Sequence, residues 1–285
     1  MDLSIIIVNF NTKKLTENCI DSILQTTRCP DFEIIVVDNS TNPDCKYQIK
    51  DHHKNRVVLV DNVENKGFGN ACNIGAKKAK GDYILLINSD IIVHRDTIDK
   101  SLDYIKKYDD VGVVGVKIKL TNNTLEHGCK RGFPTPWASF CYFTKLDRLN
   151  PKNKKFGAYR QTFIDEDTTA KVDAVSGSFM LIDKNLYGEL GGFDEDFFMY
   201  GEDLDLCYRI SKLGKKIVYY ADVSATHLKG QSGLSHKNPS IIYHFYNSMR
   251  IFYKKHYQKK YNPLVNFLVL KAIDIKYALA KKNKS

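Results

Sequence analysis

Tyr83-Ile84-Leu85-Leu86-Ile87-Asn88-Ser89-Asp90 is a continuous apolar run that ends abruptly in three small polar residues. Its apolar positions do not alternate, which is the pattern of a parallel strand covered by helices on both faces. The run Ile34-Ile35-Val36-Val37 behaves the same way and ends in Asp38-Asn39-Ser40, and a third, over 4–8, ends in Asn9-Phe10-Asn11. Between the first two strands of the chain, Leu15, Cys19, Ile20, Ile23 and Leu24 recur at helical spacing, so 4–37 reads as a βαβ unit. Right-handed crossovers wind such units into an open sheet whose ligand crevice lies beyond the carboxyl ends of the strands. The three polar ends are therefore expected together on one edge.

Further strands are expected over 57–60, 111–118, 172–182 and 216–220, and helices over 69–79, 97–107, 203–213 and 264–279. The stretch 120–170 is polar and lacks periodicity, with Gly132, Pro134, Pro136, Pro151 and Gly157, and reads as long loops or short antiparallel pieces. The expected fold class is α/β, a Rossmann-like, mostly parallel sheet flanked by helices. One domain spans 1–235, with a nucleotide-binding half over 1–118 and an acceptor and catalytic half over 119–235; a basic, aromatic helical extension occupies 236–285.

The 285 residues are 43% apolar and 27% charged, a balance that supports a packed core rather than a disordered chain. Seven cysteines form an odd set without a C-x-x-C pair, which suggests neither a disulfide framework nor a zinc ribbon and suits buried thiols in a reducing compartment. The start, Met1-Asp2-Leu3-Ser4, has none of the features of a signal peptide, so a cytoplasmic location is expected. The net charge of +10 points to anionic partners without choosing among them.

At the strand ends, Asp38 suits the imide N–H of a uracil or thymine ring, and Phe10 suits stacking on it; a lone Asp38 would read equally as a turn former. Asp90, presented just beyond an apolar strand, suits Mg2+ or Mn2+, which take one or two carboxylates and fill the shell with phosphate oxygens and water. Asn65-Lys66-Gly67-Phe68-Gly69-Asn70-Ala71-Cys72-Asn73 joins a glycine loop to a helix start, where backbone N–H groups and Lys66 can approach a diphosphate. It is neither a Walker A sequence nor a dinucleotide fingerprint.

The most specific passage runs Gly191-Gly192-Phe193-Asp194-Glu195-Asp196-Phe197-Phe198-Met199-Tyr200-Gly201-Glu202-Asp203-Leu204-Asp205-Leu206-Cys207-Tyr208-Arg209. Leu206, Ile210 and Leu213 form an apolar stripe, so Glu202 and Asp203 open a helix packed on the sheet. Acids in a first turn also favour the helix dipole, but two glycines and four aromatics upstream exceed what a cap requires. His227, expected after a short turn beyond 216–220, is a candidate metal ligand that tilts the choice toward Mn2+; His52 and His53 read as structural.

In order, these motifs resemble those of glycosyltransferase family 2 over about residues 3–232, with the 191–209 passage similar to bacterial rhamnosyltransferases. The resemblance implies a GT-A fold, a nucleoside-diphosphate sugar donor, a divalent cation (Mn2+ or Mg2+) and inversion at the anomeric carbon. By it, Asp38 reads the base, with Phe10, Asn11, Lys66, Gly67 and Asn73 in the donor site. Asn88-Ser89-Asp90 stands for the family's D-x-D, with Asn88 in place of the first acid, so that Asp90 and His227 carry the metal. Asp203 is the base and Glu202 its support, though spacing alone does not separate Asp203 from Asp205. The acceptor is then a glycan or lipid-linked sugar of a cell-surface polysaccharide.

From 241 onward Arg250, Lys254, Lys255, Lys259, Lys260, Lys271, Lys276, Lys281, Lys282 and Lys284 face one acid, Asp274, with tyrosines and phenylalanines interleaved. That composition suits a segment lying on anionic lipid at the inner face of the cell membrane, or a helix pair packed on the domain or on a second subunit. Trp137 is a candidate platform for an acceptor sugar. A sugar nucleotidyltransferase would need a glycine-rich, basic signature after its first strand, which Asn9-Phe10-Asn11-Thr12 is not. A non-catalytic module binding nucleic acid or membrane through the tail would leave the Glu202-Asp203 and Asn88-Ser89-Asp90 placements without purpose, and nucleic acid is not the expected partner.

Overall fold

Strands β1 (Leu3–Asn9) and β2 (Phe32–Asp38) are buried along their whole length, and β4 (Tyr83–Asn88) along all but its two ends, in the computed structural model, which describes residues 1–50, 53, 55–62, 64–228 and 238–282. Each buried Ile, Leu or Val contributes roughly 1.5–3 kcal/mol relative to exposure, so this triplet anchors the fold. Helices α1 (Lys13–Thr26) and α2 (Phe68–Lys78) cover it, and β3 (Val57–Asp61) extends it; all four strands run parallel in the order β3-β2-β1-β4. This half matches the expected βαβ winding.

The second half departs from it in direction. Strand β8 (Phe179–Asp183) lies antiparallel to both β4 and β6 (Val111–Leu120), and β6 runs parallel to β9 (Lys216–His227). The short strands β5 (Ile91–Val93) and β7 (Ala170–Val172) share the other edge of β9. Among the described residues one nine-stranded sheet results, ordered β3-β2-β1-β4-β8-β6-β9-β5 with β7 on β9. Helices α3 (Thr97–Lys107), α6 (Lys184–Glu189) and α7 (Glu202–Lys212) pack on this half.

Three expectations need correction. The strand expected over 172–182 is two strands, because residues 173–178 leave the sheet as a loop. The stretch 120–170 contains helices α4 (Pro136–Phe143) and α5 (Leu146–Leu149), the first started by Pro136 and by the Thr135 hydroxyl, which accepts from the Ala138 N–H. Strand β9 runs on to His227 instead of stopping at 220, with a register shift that moves the partner of β6 from Tyr220 to Ser224. Five cysteines are buried as expected, whereas Cys29 and Cys45 are part-exposed; all seven are free.

The boundary expected at 235 and the motif residues Lys229 to Ser232 lie outside the described residues, as does His52. Beyond them, α8 (Pro239–His256) joins the main core through Phe252 and Tyr253, and α9 (Pro263–Lys282) packs on α8.

Gly67 caps α2 with φ at +104°, and a Cβ there would stand 2.1 Å from the Phe198 carbonyl oxygen. Both the backbone conformation and the clash forbid a side chain. Gly67→Ala is expected to lower stability by at least about 2 kcal/mol in urea unfolding.

Candidate active site

The three polar strand ends do meet. Asn9, fully buried, donates through Nδ2 to Asp38 Oδ1 (3.1 Å), Ser40 Oγ (2.8 Å) and the Cys45 carbonyl (3.1 Å), while its Oδ1 accepts from the Thr16 hydroxyl (2.8 Å). Thr12 at the start of α1 shares a 3.0 Å hydrogen bond with Ser89. The ends of β1, β2 and β4 are thus tied by side chains as well as by the ladder.

Asp38 is buried and accepts three hydrogen bonds, from Asn9, from the Ser40 N–H (2.8 Å) and from the Tyr47 N–H (2.7 Å). A carboxylate has about four acceptor positions, so one remains. Asn11 adopts φ of +56°, a conformation asparagine tolerates, and its side chain bonds Thr41 and the Asn42 N–H; Phe10 beside it is half-buried.

The 65–73 loop serves the fold more than sequence reading suggested. Lys66 faces solvent and pairs with Glu64 at 3.1 Å. The Gly67 N–H is taken by Asn65 Oδ1 (3.0 Å) and the Phe68 N–H by the Phe198 carbonyl (2.9 Å). Asn73 accepts from the Tyr187 hydroxyl (2.6 Å) and the Phe193 N–H, and donates to the Phe193 carbonyl and Glu195. These groups clamp α2 to the 193–198 loop, which leaves the donors of Gly67 and Phe68 and the amide of Asn73 occupied by protein.

Two acidic centres flank the entry to β8. In the first, the pairing of Ile91 with His227 brings the imidazole beside Asp90. His227 Nε2 lies 3.1 Å from Asp90 Oδ1, and Nδ1 lies 2.7 Å from Glu126 Oε2. Carboxylates only accept, so both ring nitrogens must donate and the ring is an imidazolium. Burial alone would lower its pKa, but the hydrogen bonds and charges of Asp90 and Glu126 outweigh burial and push it up to about 9. The oxygen and imidazole donors are of the kind that suits Mn2+ or Mg2+, and Asp90 and His227 already hold a positive charge between them. A cation held by Asp90 and His227 would take the place of that proton; among the described residues there is no group of three or more His, Cys, Asp or Glu side chains that could hold a metal ion.

In the second centre, Asp203 Oδ2 accepts from Arg131 Nη2 (2.5 Å) and from the Gly177 N–H (3.0 Å), and Oδ1 accepts from the Leu204 N–H (2.7 Å). Glu202 is buried with Oε2 lacking a hydrogen-bond partner. Its burial, and then the charge of Asp203, push its pKa up to about 8. Asp205, which spacing could not separate from Asp203, is fully buried and bonds Arg209 Nε (2.6 Å) and His256 Nε2 (2.6 Å), so it joins α7 to α8.

The centres are neighbours. Gly177 donates to Asp203, and the next residue, Ser178, accepts the Asn88 N–H at 3.2 Å. Glu126 and Arg131, which serve one centre each, lie on a single short segment. Sequence reading missed both, because they sit in the aperiodic stretch where no spacing distinguishes a buried charge from a solvated one.

A sheet of this order with acidic centres at the strand ends is the GT-A glycosyltransferase fold. Among solved structures, GalNAc-T7 crystallised with UDP, GalNAc and Mn2+ superposes with a TM-score of 0.61 at 19% identity, over 88% of this chain and 47% of that one. S. aureus TarS 1-349 in complex with UDP-GlcNAc gives 0.59 at 19%, over 96% and 71%. The family model described as glycosyl transferase family 2 matches residues 4–190, and the chain belongs to that family.

Its sequence is 29% identical to the rhamnosyltransferase WbbL of Escherichia coli (strain K12) over 84% of this chain and 89% of that protein. It is 26% identical to the N-acetylglucosaminyl-diphospho-decaprenol L-rhamnosyltransferase of Mycobacterium tuberculosis (strain ATCC 25618 / H37Rv), over 81% and 77%. The O-antigen biosynthesis protein RfbC of Myxococcus xanthus is also 26% identical, over 85% of this chain but only 18% of that longer protein.

Because the folded pKa of Glu202 lies above its unfolded value of 4.5, the stability its protonated form contributes is complete below about pH 4.5 and is lost as pH rises through about 8. Within that window stability is expected to fall by up to roughly 1.4 kcal/mol per pH unit from this group. Glu202→Gln should remove that slope in urea titrations between pH 5 and 8.

Proposed function

We propose that this glycosyltransferase moves a sugar, with inversion, from a nucleoside-diphosphate donor, dTDP-rhamnose or a UDP-sugar, to a glycan or lipid-linked sugar acceptor in cell-surface polysaccharide synthesis. The observation that carries this reading is the adjacency of Asp203 to the 88–90 turn through Gly177 and Ser178. The rhamnosyltransferase relatives support the donor class, and the UDP and Mn2+ named with the structural neighbours support a nucleotide and a cation.

In this reading Asp38, held by Asn9, Ser40 and Tyr47, offers its remaining lone pair to the imide of the base, beside Phe10. Asp203 takes the proton from the acceptor hydroxyl as its oxygen attacks the anomeric carbon opposite the diphosphate. Glu202, kept protonated at neutral pH, adds no second negative charge beside it. A divalent cation held by Asp90 and His227 would neutralise the charge that builds on the departing diphosphate. Asp203→Asn is expected to abolish transfer while a nucleotide sugar with Mn2+ still raises the thermal midpoint, and EDTA to stop turnover; loss of donor binding in the variant would contradict the assignment.

The C-terminal helices divide the two tail readings. Helix α8 packs on the domain, and several expected surface cations are engaged there: Lys255 with Asp194 and Asp205, Lys260 with the Tyr208 hydroxyl, Arg250 with Asp274. Helix α9 turns Val269 and Leu270 inward and Tyr277 onto Tyr243 and Tyr246, while Leu264, Phe267, Leu268, Ile275 and Leu279 stand outward, each 52–66% exposed. Lys271 stands with that stripe, its Nζ over the Phe267 ring, whereas Lys276 reaches the Phe143 ring.

An anionic bilayer satisfies both the apolar stripe and the lysines, whereas a second copy would oppose like charges. No helix among the described residues is long and apolar enough to cross a membrane, so α9 would lie flat on it. The protein should sediment with phosphatidylglycerol vesicles and not with neutral ones. Replacing Phe267 and Leu268 by serine should abolish this; a dimer in light scattering that those substitutions dissolve would favour the second copy.

A further inference from the structure

Arg131 carries the positive charge of the second centre. Its backbone is tied in both directions to Ala174, with Arg131 N donating to the Ala174 carbonyl (2.8 Å) and Ala174 N to the Arg131 carbonyl (2.9 Å). Its Nη2 donates to the Val175 carbonyl (3.0 Å) as well as to Asp203 Oδ2 (2.5 Å). Gly177 donates to the same oxygen. The 174–177 segment therefore fixes the guanidinium and the carboxylate together, and it begins where the chain leaves the sheet after β7.

The side chains of Arg131 and Asp203 are 15% and 11% exposed, so each charge depends on the other for compensation. Glu202, Tyr159 and Cys207 also face Asp203. Arg131 is the cation the pair has, and with Glu202 held neutral one guanidinium balances one carboxylate. Arg131 Nε is buried without a hydrogen-bond partner. Tyr159 stands against the same guanidinium.

We propose that Arg131 is a positioning residue for the transfer: it holds the Asp203 carboxylate in one rotamer at the mouth of the site and compensates its charge there. The proposal rests on the role given to Asp203 above. Lysine keeps the charge and could serve two acceptors from its one nitrogen, but it lacks the rigid planar group that sets where Nη2 stands, so it should replace Arg131 only in part.

The test compares Arg131→Met, Arg131→Lys, Asp203→Asn and the Arg131→Met/Asp203→Asn pair. Each is assayed, with Mn2+ and a lipid-linked GlcNAc acceptor, for nucleoside diphosphate release as the sugar of dTDP-rhamnose, UDP-glucose or UDP-GlcNAc passes to the acceptor hydroxyl, and for unfolding in urea. Arg131→Met is expected to lower kcat about 100-fold with donor KM changed less than about threefold, and Arg131→Lys to recover about tenfold of that loss. In the Asp203→Asn background, where transfer is already lost, the added Arg131→Met is read in unfolding alone.

An unchanged kcat in Arg131→Met, or an effect on KM alone, would overturn the proposal. If the wild type turns over none of the donors, the transfer reading fails while the urea arm still decides about Arg131. Unfolding constants of the double variant equal to the product of the singles would show that the two side chains do not act together, and a departure of about tenfold or more would uphold their coupling.

Discussion

Strands β1, β2 and β4 have no solvent-facing side, and this constraint organises everything else. A polar side chain inside a strand buried on both faces must find a protein partner, as Ser4 does in Glu33, so groups free to meet a ligand belong at the strand ends. Asn9, Asp38 and Asn88 stand at those ends, where the ladder registers Asn9 opposite Asp38 and Val8 opposite Asn88. The buried amide of Asn9 then links the ends of β1 and β2 to the start of α1, so that the crevice edge is a hydrogen-bonded unit rather than a set of independent turns.

Charge is handled in the same crevice by giving each acidic centre its own cation. His227 stands between Asp90 and Glu126, and Arg131 stands against Asp203. Uncompensated carboxylates at such depth would be strongly disfavoured, and Glu202, the acid without a cation of its own, answers by holding its proton. Because Glu126 and Arg131 share one segment, a displacement of that segment would be felt at both centres.

The C-terminal helices belong to this economy of contacts. Helix α8 reaches the acidic passage through Asp205 and His256, and its His244 stacks on Phe198, whose carbonyl receives the Phe68 N–H. The chain from α2 through the 193–205 passage to α8 is thereby continuous in packing, while the outer face of α9 leaves Leu264, Phe267, Leu268, Ile275 and Leu279 exposed.

The amino-acid sequence by itself determined the parallel half of the sheet, the helices of regular period and the polar strand ends, since burial on both faces and a 3.6-residue period leave a direct trace in residue order. It also singled out Asp90, Glu202, Asp203 and His227 by their places at strand ends and a helix start, while motif resemblance supplied the roles expected of them. What tertiary structure alone decided is the company these residues keep. Asp205 became a strut between α7 and α8 while Asp203 paired with Arg131, Lys66 turned to solvent, Asn73 turned inward, and β9 ran on to deliver His227. Glu126 and Arg131 arrived from an aperiodic stretch. Such pairings join residues far apart along the chain, and a long-range contact between charges imposes no spacing on the sequence that forms it.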